Sequence, residues 1–134
     1  MRGAPSRLAG LSVVVVDDDR DVREALACVL ETFGARVACA RDGLEGLARV
    51  RERRPDAIVC DLRMPGLDGL ELLRRVRADP RLAGAYVVLH SAWPAAGGRP
   101  AAGAPRFDAV VSKPADPAEL VAALAGSLRV AEAA

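Results

Sequence analysis

Residues 11–19 read Leu-Ser-Val-Val-Val-Val-Asp-Asp-Asp, and this stretch decides which kind of sheet the chain can form. A run of β-branched residues without polar alternation predicts a strand that is buried on both faces. Such strands are typical of parallel sheets that carry helices on both sides. The three aspartates predict that this strand ends at residue 16 in a polar loop.

Apolar runs of strand length alternate with helical patterns along the rest of the chain. The helical spacing is clearest at Val22, Leu26 and Val29, and Asp42 and Asp116 precede later helices as N-caps. We predict strands over residues 11–16, 36–40, 57–60, 86–90 and 109–112. This alternation indicates an α/β fold with a parallel sheet and right-handed crossovers.

Composition bounds the class of protein. The 134 residues suit one domain, and an apolar content of 51% is enough for a packed core. The net charge of +1, with dispersed basic residues, gives no indication of nucleic-acid binding. The sequence has no leader pattern and no apolar stretch long enough to span a bilayer. Three widely spaced cysteines are expected to be buried, reduced thiols: Cys28, Cys39 and Cys60.

Polar residues end four of the five predicted strands. They are Asp17 and Asp18, then Asp61, Ser91 and Lys113. Ligands of parallel sheets bind outside the carboxyl ends of the strands, so the fold should bring these side chains together. Grouped carboxylates suit Mg²⁺, an aspartate can accept a phosphoryl group, and a lysine and a hydroxyl can bind its oxygens.

The segments that carry these residues resemble the receiver domain of bacterial response regulators. The resemblance extends over residues 11–129 and is carried by four segments in order: VVVVDDD (13–19), DLRMPGLDGLELL (61–73), HSA (90–92) and SKP (112–114). It implies a flavodoxin-like, doubly wound sheet of five strands in the order 2-1-3-4-5. It also implies a phosphorelay function that depends on Mg²⁺.

The resemblance assigns roles to the metal-binding positions. Asp61 resembles the phosphoryl acceptor, and Asp18 the direct metal ligand. Asp17 resembles the acidic neighbour that holds the metal through water. The backbone carbonyl of Arg63 would complete the protein's share of the Mg²⁺ shell.

The resemblance also assigns the phosphate-binding positions. Ser91 resembles the switch hydroxyl, and the amide of Ala92 would join it at the phosphoryl group. Lys113 resembles the lysine that contacts phosphate, and a cis peptide is implied before Pro114.

Two departures from the family pattern concern the parts of the domain that would transmit a conformational change. The aromatic residue that often lies three residues before the lysine is replaced here by Val110. The segment over residues 93–106, where a fourth helix is expected, contains three prolines and three glycines. Because proline costs about 3 kcal/mol and glycine about 1 kcal/mol inside a helix, we expect that helix to be short, distorted or absent.

These features lead to a defined expectation. We expect an arm or linker over residues 1–10, a receiver domain over 11–129 and a tail over 130–134. The domain would take a phosphoryl group on Asp61 from a histidine kinase or phosphotransfer domain and catalyse nothing beyond its own phosphorylation and dephosphorylation. We expect it to be cytoplasmic, monomeric or weakly dimeric, and without direct nucleic-acid or membrane contacts.

Two other functions stay open from the sequence. A pseudo-receiver would keep this fold as a binding module without being phosphorylated. A phosphatase of the haloacid dehalogenase type also uses aspartate and Mg²⁺, and Asp17 and Asp19 have its spacing. That function would leave the Asp61 segment unexplained, and the threonine that should follow the two aspartates is missing from this sequence.

Overall fold

A five-stranded parallel sheet forms the centre of the molecule. The structure is a computed structural model that describes residues 7–92, 106–113 and 116–133, with side chains up to residue 128. The strands are β1 (Ser12–Val16), β2 (Arg36–Ala40), β3 (Ala57–Cys60), β4 (Tyr86–Ser91) and β5 (Ala109–Ser112). Their order in the sheet is β2-β1-β3-β4-β5, which confirms the predicted fold.

Helices cover both faces of this sheet. They are α1 (Arg20–Thr32), α2 (Gly43–Arg53), α3 (Gly69–Ala78) and α4 (Pro117–Ala133). The last of them, α4, follows β5. The segment for which we expected a degenerate helix, between β4 and β5, lies almost entirely outside the described residues.

The side chains of β1 alternate between two cores. Val14 and Val16 belong to the core that contains side chains of α2 and α3. Val13 and Val15 belong to the other, which contains side chains of α1 and α4. Since all four valines are fully buried, the uninterrupted apolar run is explained by burial on both faces of the sheet.

An aspartate precedes each of the four described helices, and Asp116, predicted to cap α4, accepts the backbone N–H of Ala118 at 2.9 Å. The side chain of Asp19 accepts hydrogen bonds from the backbone N–H groups of Asp21 and Val22, and starts α1 directly after the first strand loop. Asp42 caps α2 as predicted, and Asp68 caps α3. These caps satisfy N–H groups that helices leave free, and they fix where each loop ends.

The segment before β1 belongs to the folded structure. Leu8 is fully buried in the core beneath α1, and its backbone N–H donates to the carbonyl of Phe33 at 2.9 Å. At the other end of the chain, α4 extends to Ala133. No helix of the described residues is long and apolar enough to cross a membrane.

Arg77 joins three parts of the fold at the amino end of β4. Its Nη1 donates to the carbonyls of Ala83 and Ala85 at 2.8 and 2.6 Å, and its Nη2 donates to Asp108 Oδ2 at 2.7 Å. The same carboxylate oxygen accepts the backbone N–H of Val87 at 2.7 Å. One guanidinium therefore ties α3 to the turn before β4 and to the residue before β5.

We expect Arg77→Met to lower the free energy of unfolding by about 2 kcal/mol, because hydrogen bonds to charged groups contribute about 1.5–3 kcal/mol. Urea unfolding followed by circular dichroism measures this. Arg75→Met is the matched control, since Arg75 lies on the same helix and pairs with Glu71 at the surface. Its expected loss is at most about 0.5 kcal/mol. Equal losses in both variants would contradict the role of Arg77.

His90 is a buried imidazole on β4. It is 4% exposed and lines an apolar pocket of about 470 Å³ with side chains of α1 and α4. Within the described part of the chain, its Nδ1 is buried and has no hydrogen-bond partner. Burial, and secondarily the charge of Lys113, lower the pKa of His90 below its ordinary value of 6.5. The folded protein therefore holds this imidazole in its neutral form.

The lowered pKa of His90 should make the free energy of unfolding depend on pH. Below pH 6.5 the unfolded chain binds a proton at His90 before the folded protein does, so the stability present above pH 6.5 is lost as the pH falls through the folded pKa. His90 is the only histidine, so His90→Leu should remove this contribution. Urea unfolding between pH 7.5 and 5.5 should give a steeper loss for the wild type. Parallel curves would rule out the shift.

Candidate functional site

The loop after β1 holds Asp17 in a fixed position. Its backbone N–H donates to the carbonyl of Ala40 at 3.1 Å, and its side chain is 2% exposed. Asp17 Oδ1 accepts the N–H of Asp19 at 2.9 Å, and its carbonyl accepts Arg23 Nη1 at 2.7 Å. Asp18 follows with its side chain in solvent. The loop therefore buries one carboxylate and exposes the next.

Asp61 directly follows β3, the strand next to β1. Its Oδ1 accepts the N–H of Leu62 at 2.7 Å, and its Oδ2 accepts Lys113 Nζ at 2.9 Å. The side chain is 14% exposed, so the carboxylate is oriented by two donors and still reaches the surface. A nucleophile needs this combination of fixed direction and access.

Lys113 joins the two buried carboxylates. Its Nζ lies 2.8 Å from Asp17 Oδ2 and 2.9 Å from Asp61 Oδ2. Burial lowers the pKa of the lysine, but the hydrogen bonds to both aspartates and their negative charges together outweigh burial and raise that pKa above its ordinary value. Lys113 is therefore a permanent cation in the site, and it is the only lysine of the sequence.

The acidic residues form a group that could hold a metal ion. Asp17, Asp18 and Asp61 each offer a carboxylate oxygen, and these oxygens lie within 4.8 Å of one another. Opposite oxygens on one Mg²⁺ ion are about 4.2 Å apart, at metal–oxygen distances of about 2.1 Å. An all-oxygen donor set with this spacing fits a hard divalent cation after small side-chain movements, directly or through water.

The remaining predicted residues occupy the same edge of the sheet or lie outside the described residues. Ser91 ends β4, is buried, and its carbonyl accepts the N–H of Lys113 at 2.9 Å. Ala92 follows at the surface, and Arg63 lies exposed two residues after Asp61. Pro114 and the predicted cis peptide lie outside the described residues.

The start of α3 packs directly against the backbone of Asp61. The N–H of Gly69 donates to the carbonyl of Leu62 at 2.9 Å, and a Cβ at position 69 would collide with the carbonyl oxygen of Asp61. Glycine is therefore required there by the close approach of two backbones. In the sequence, Gly69 lies within the segment over residues 61–73, and no local pattern there signals this close approach.

The burial of the cysteines differs from the prediction, since Cys60 is buried, Cys39 is only partly buried and Cys28 is exposed. Cys60 is fully buried beside Asp61, and burial together with the charge of Asp61 raises its pKa to about 12. Its thiol is thus neutral at physiological pH, and a neutral thiol is a poor nucleophile. Cys28, in contrast, is exposed, so the expectation that all three thiols are buried is wrong. It lies on the outer face of α1, away from the apolar stripe.

Comparison with known sequences agrees with this geometry. The sequence profile of the response regulator receiver domain matches residues 13–125. An uncharacterized 14.6 kDa protein of Leptolyngbya boryana is 37% identical over 114 residues, which are 85% of this chain and 87% of that protein. The transcriptional regulatory protein AfsQ1 of Streptomyces coelicolor is 45% identical over 71 residues, 53% of this chain. The match spans only 32% of AfsQ1.

Comparison with solved structures extends the likeness to nearly the whole chain. The N-terminal domain of an uncharacterized protein from Wolinella succinogenes superposes with a TM-score of 0.77 and 31% identity, over 92% of this chain and 98% of that domain. The profile match covers well over half of the sequence, and it includes the strand-end residues Asp17, Asp61, Ser91 and Lys113. The chain therefore belongs to the response regulator receiver domain family.

Proposed function

We propose that this receiver domain accepts a phosphoryl group on Asp61 in a reaction that requires Mg²⁺. The observation that carries the proposal is the position of the Asp61 carboxylate. It is oriented by the Leu62 N–H and by Lys113, and it lies in one cluster with Asp17 and Asp18. The donor would be the phosphohistidine of a histidine kinase or of a phosphotransfer domain.

The transfer forms one bond to phosphorus and breaks another. A carboxylate oxygen of Asp61 attacks the phosphorus atom, and the bond between phosphorus and the donor imidazole nitrogen breaks. The electron pair of that bond returns to the imidazole, and the product is an acyl phosphate on Asp61. With acetyl phosphate as the donor, the bond to the acetate oxygen breaks instead.

Lys113 and Ser91 would bind the transferred group. Lys113 already donates to Asp61 Oδ2, so its ammonium lies where phosphoryl oxygens would arrive and can offset their charge. The hydroxyl of Ser91 and the N–H of Ala92 would donate to the same oxygens. A bound Mg²⁺ would neutralise further charge on the phosphoryl group, and Asp17, Asp18, Asp61 and the Arg63 carbonyl are the groups that would hold it.

The conformational switch would pass through the backbone between β4 and β5. The carbonyl of Ser91 accepts the N–H of Lys113, so movement of either residue is transmitted to the other. Val110, at the position of the usual switch aromatic, is 46% exposed, and Phe107 packs against the core. We therefore assign no aromatic side chain to the switch.

The proposed role is signalling and not turnover of a separate substrate. The domain would catalyse only its own phosphorylation and dephosphorylation, in the cytoplasm, with a kinase or phosphotransfer domain as its partner. A haloacid dehalogenase type of reaction is disfavoured because Asp19 caps α1, where that reaction needs a general acid. The side chain of Asp19 is hydrogen-bonded to the N–H groups of Asp21 and Val22.

Acetyl phosphate with Mg²⁺ should produce one slower-migrating species on Phos-tag electrophoresis. Asp61→Asn should abolish it, because an amide cannot form the acyl phosphate, and chelation of Mg²⁺ should abolish it in the wild type. Asp56→Asn is the matched control, since Asp56 directly precedes β3 and Asp61 directly follows it. We expect this variant to be phosphorylated on Asp61 to the same extent as the wild type. An unmodified wild type would support the pseudo-receiver, and a phosphorylated Asp61→Asn would point to another acceptor.

The single lysine gives this experiment a direct spectroscopic readout. Growth with ¹³C-lysine labels only Lys113 and keeps all three N–H donors of its ammonium group. Beryllofluoride, which mimics the phosphoryl group, should shift the Lys113 ¹³Cε signal in the wild type and leave it unchanged in Asp61→Asn.

A further inference from the structure

The first turn of α1 carries two arginines with different contacts. Arg20 pairs with Glu24 at the surface, and its side chain is 78% exposed. Arg23 instead turns back over the loop that follows β1. Its Nη1 donates to the backbone carbonyl of Asp17 at 2.7 Å, in a partly buried hydrogen bond.

The contact of Arg23 closes a short network around the acidic loop. The N–H of Arg23 donates to the carbonyl of Asp19 at 3.0 Å, as part of the helix. The N–H of Asp19 donates to Asp17 Oδ1 at 2.9 Å. The helix thus holds the loop at the carbonyl of Asp17 and at Asp19, and the peptide between residues 17 and 18 is fixed from one side by the guanidinium.

This peptide determines where two carboxylates point. The side chain of Asp17 branches from the Cα atom at the start of this peptide, and the side chain of Asp18 branches from the Cα atom at its end. A rotation of this peptide that the φ angle of Asp18 does not cancel would turn the carboxylate of Asp18 away from Asp61 and would weaken the hydrogen bond from the Asp19 N–H to Asp17 Oδ1. A charge-assisted bond to the carbonyl opposes that rotation.

We propose that Arg23 is a positioning residue for the cation site: it holds the peptide between Asp17 and Asp18 so that both carboxylates face Asp61. The part of this proposal that concerns Mg²⁺ rests on the proposed function, whereas the part that concerns the loop does not. In this role Arg23 would contact neither the metal nor the phosphoryl group. It acts through the backbone of the residues that bind them.

The test compares three variants in the full chain. Arg23→Met keeps most of the stem and removes the donors, Arg23→Lys keeps one charged donor, and Arg20→Met removes the neighbouring surface arginine. Mg²⁺ titrations followed at the amides of residues 17–19 and 61 give the dissociation constant. We expect it to rise about tenfold in Arg23→Met, the size typical for residues that orient metal ligands, with partial recovery in Arg23→Lys. Arg20→Met should match the wild type.

A second measurement uses the metal-free protein. Hydrogen exchange at the amide of Asp19 should be faster in Arg23→Met than in the wild type and unchanged in Arg20→Met, because the bond to Asp17 Oδ1 loses its support. Melting temperatures of all variants show whether the fold is intact.

Three outcomes separate the proposals. Wild-type Mg²⁺ affinity and wild-type exchange at Asp19 in Arg23→Met would overturn the role of Arg23. Equal losses of Mg²⁺ affinity in Arg23→Met and Arg20→Met, accompanied by equal drops in melting temperature, would also overturn it, since they would reflect a weakened helix. A wild type that binds no Mg²⁺ would count against the proposed function, and the exchange at Asp19 would then decide the role of Arg23 by itself.

Discussion

The ammonium group of Lys113 lies within 2.9 Å of carboxylate oxygens from two neighbouring strand ends, and the site depends on this contact. Asp17 is almost fully buried, and a buried carboxylate without a partner costs several kcal/mol. Lys113 supplies that partner, and it directly follows β5, a strand far from β1 in the sequence. Lys113 can therefore neutralise the two carboxylates only in the assembled sheet, because β1, β3 and β5 are brought to one edge by the complete strand order.

The loops around this contact are fixed by backbone hydrogen bonds. Asp19 and Asp68 each begin a helix immediately after a strand loop, and Arg23 and Gly69 bring the following helix against the loop backbone. Because the loops are tied to helices that pack on the sheet, the carboxylates have defined directions while remaining near the surface. Such preorganisation favours binding of a charged group without a large reorganisation of the protein.

Much of the fold and of the site could be predicted from the sequence, because both leave local patterns. The buried valines of β1 and the cap at Asp42 follow from spacing and residue type, and the strand-end positions follow from the rule for parallel sheets. Contacts to backbone atoms could not be predicted in this way. The sequence contains eighteen arginines, and nothing local distinguishes Arg23 or Arg77 from the others. The exposure of Cys28 was missed because an apolar run in a helix still has an outer face.

The burial of Leu8 has a consequence for dividing or fusing this domain. The family profile begins at residue 13 and ends at 125, but Leu8 fills space in the core beneath α1, and α4 continues to Ala133. A fragment cut at the profile's limits would remove the buried Leu8 and Leu11 and leave a void in the core, and it would shorten the last helix by about two turns. When this receiver is grafted onto another protein, the junction therefore belongs before residue 8, so that Leu8 keeps its place in the core.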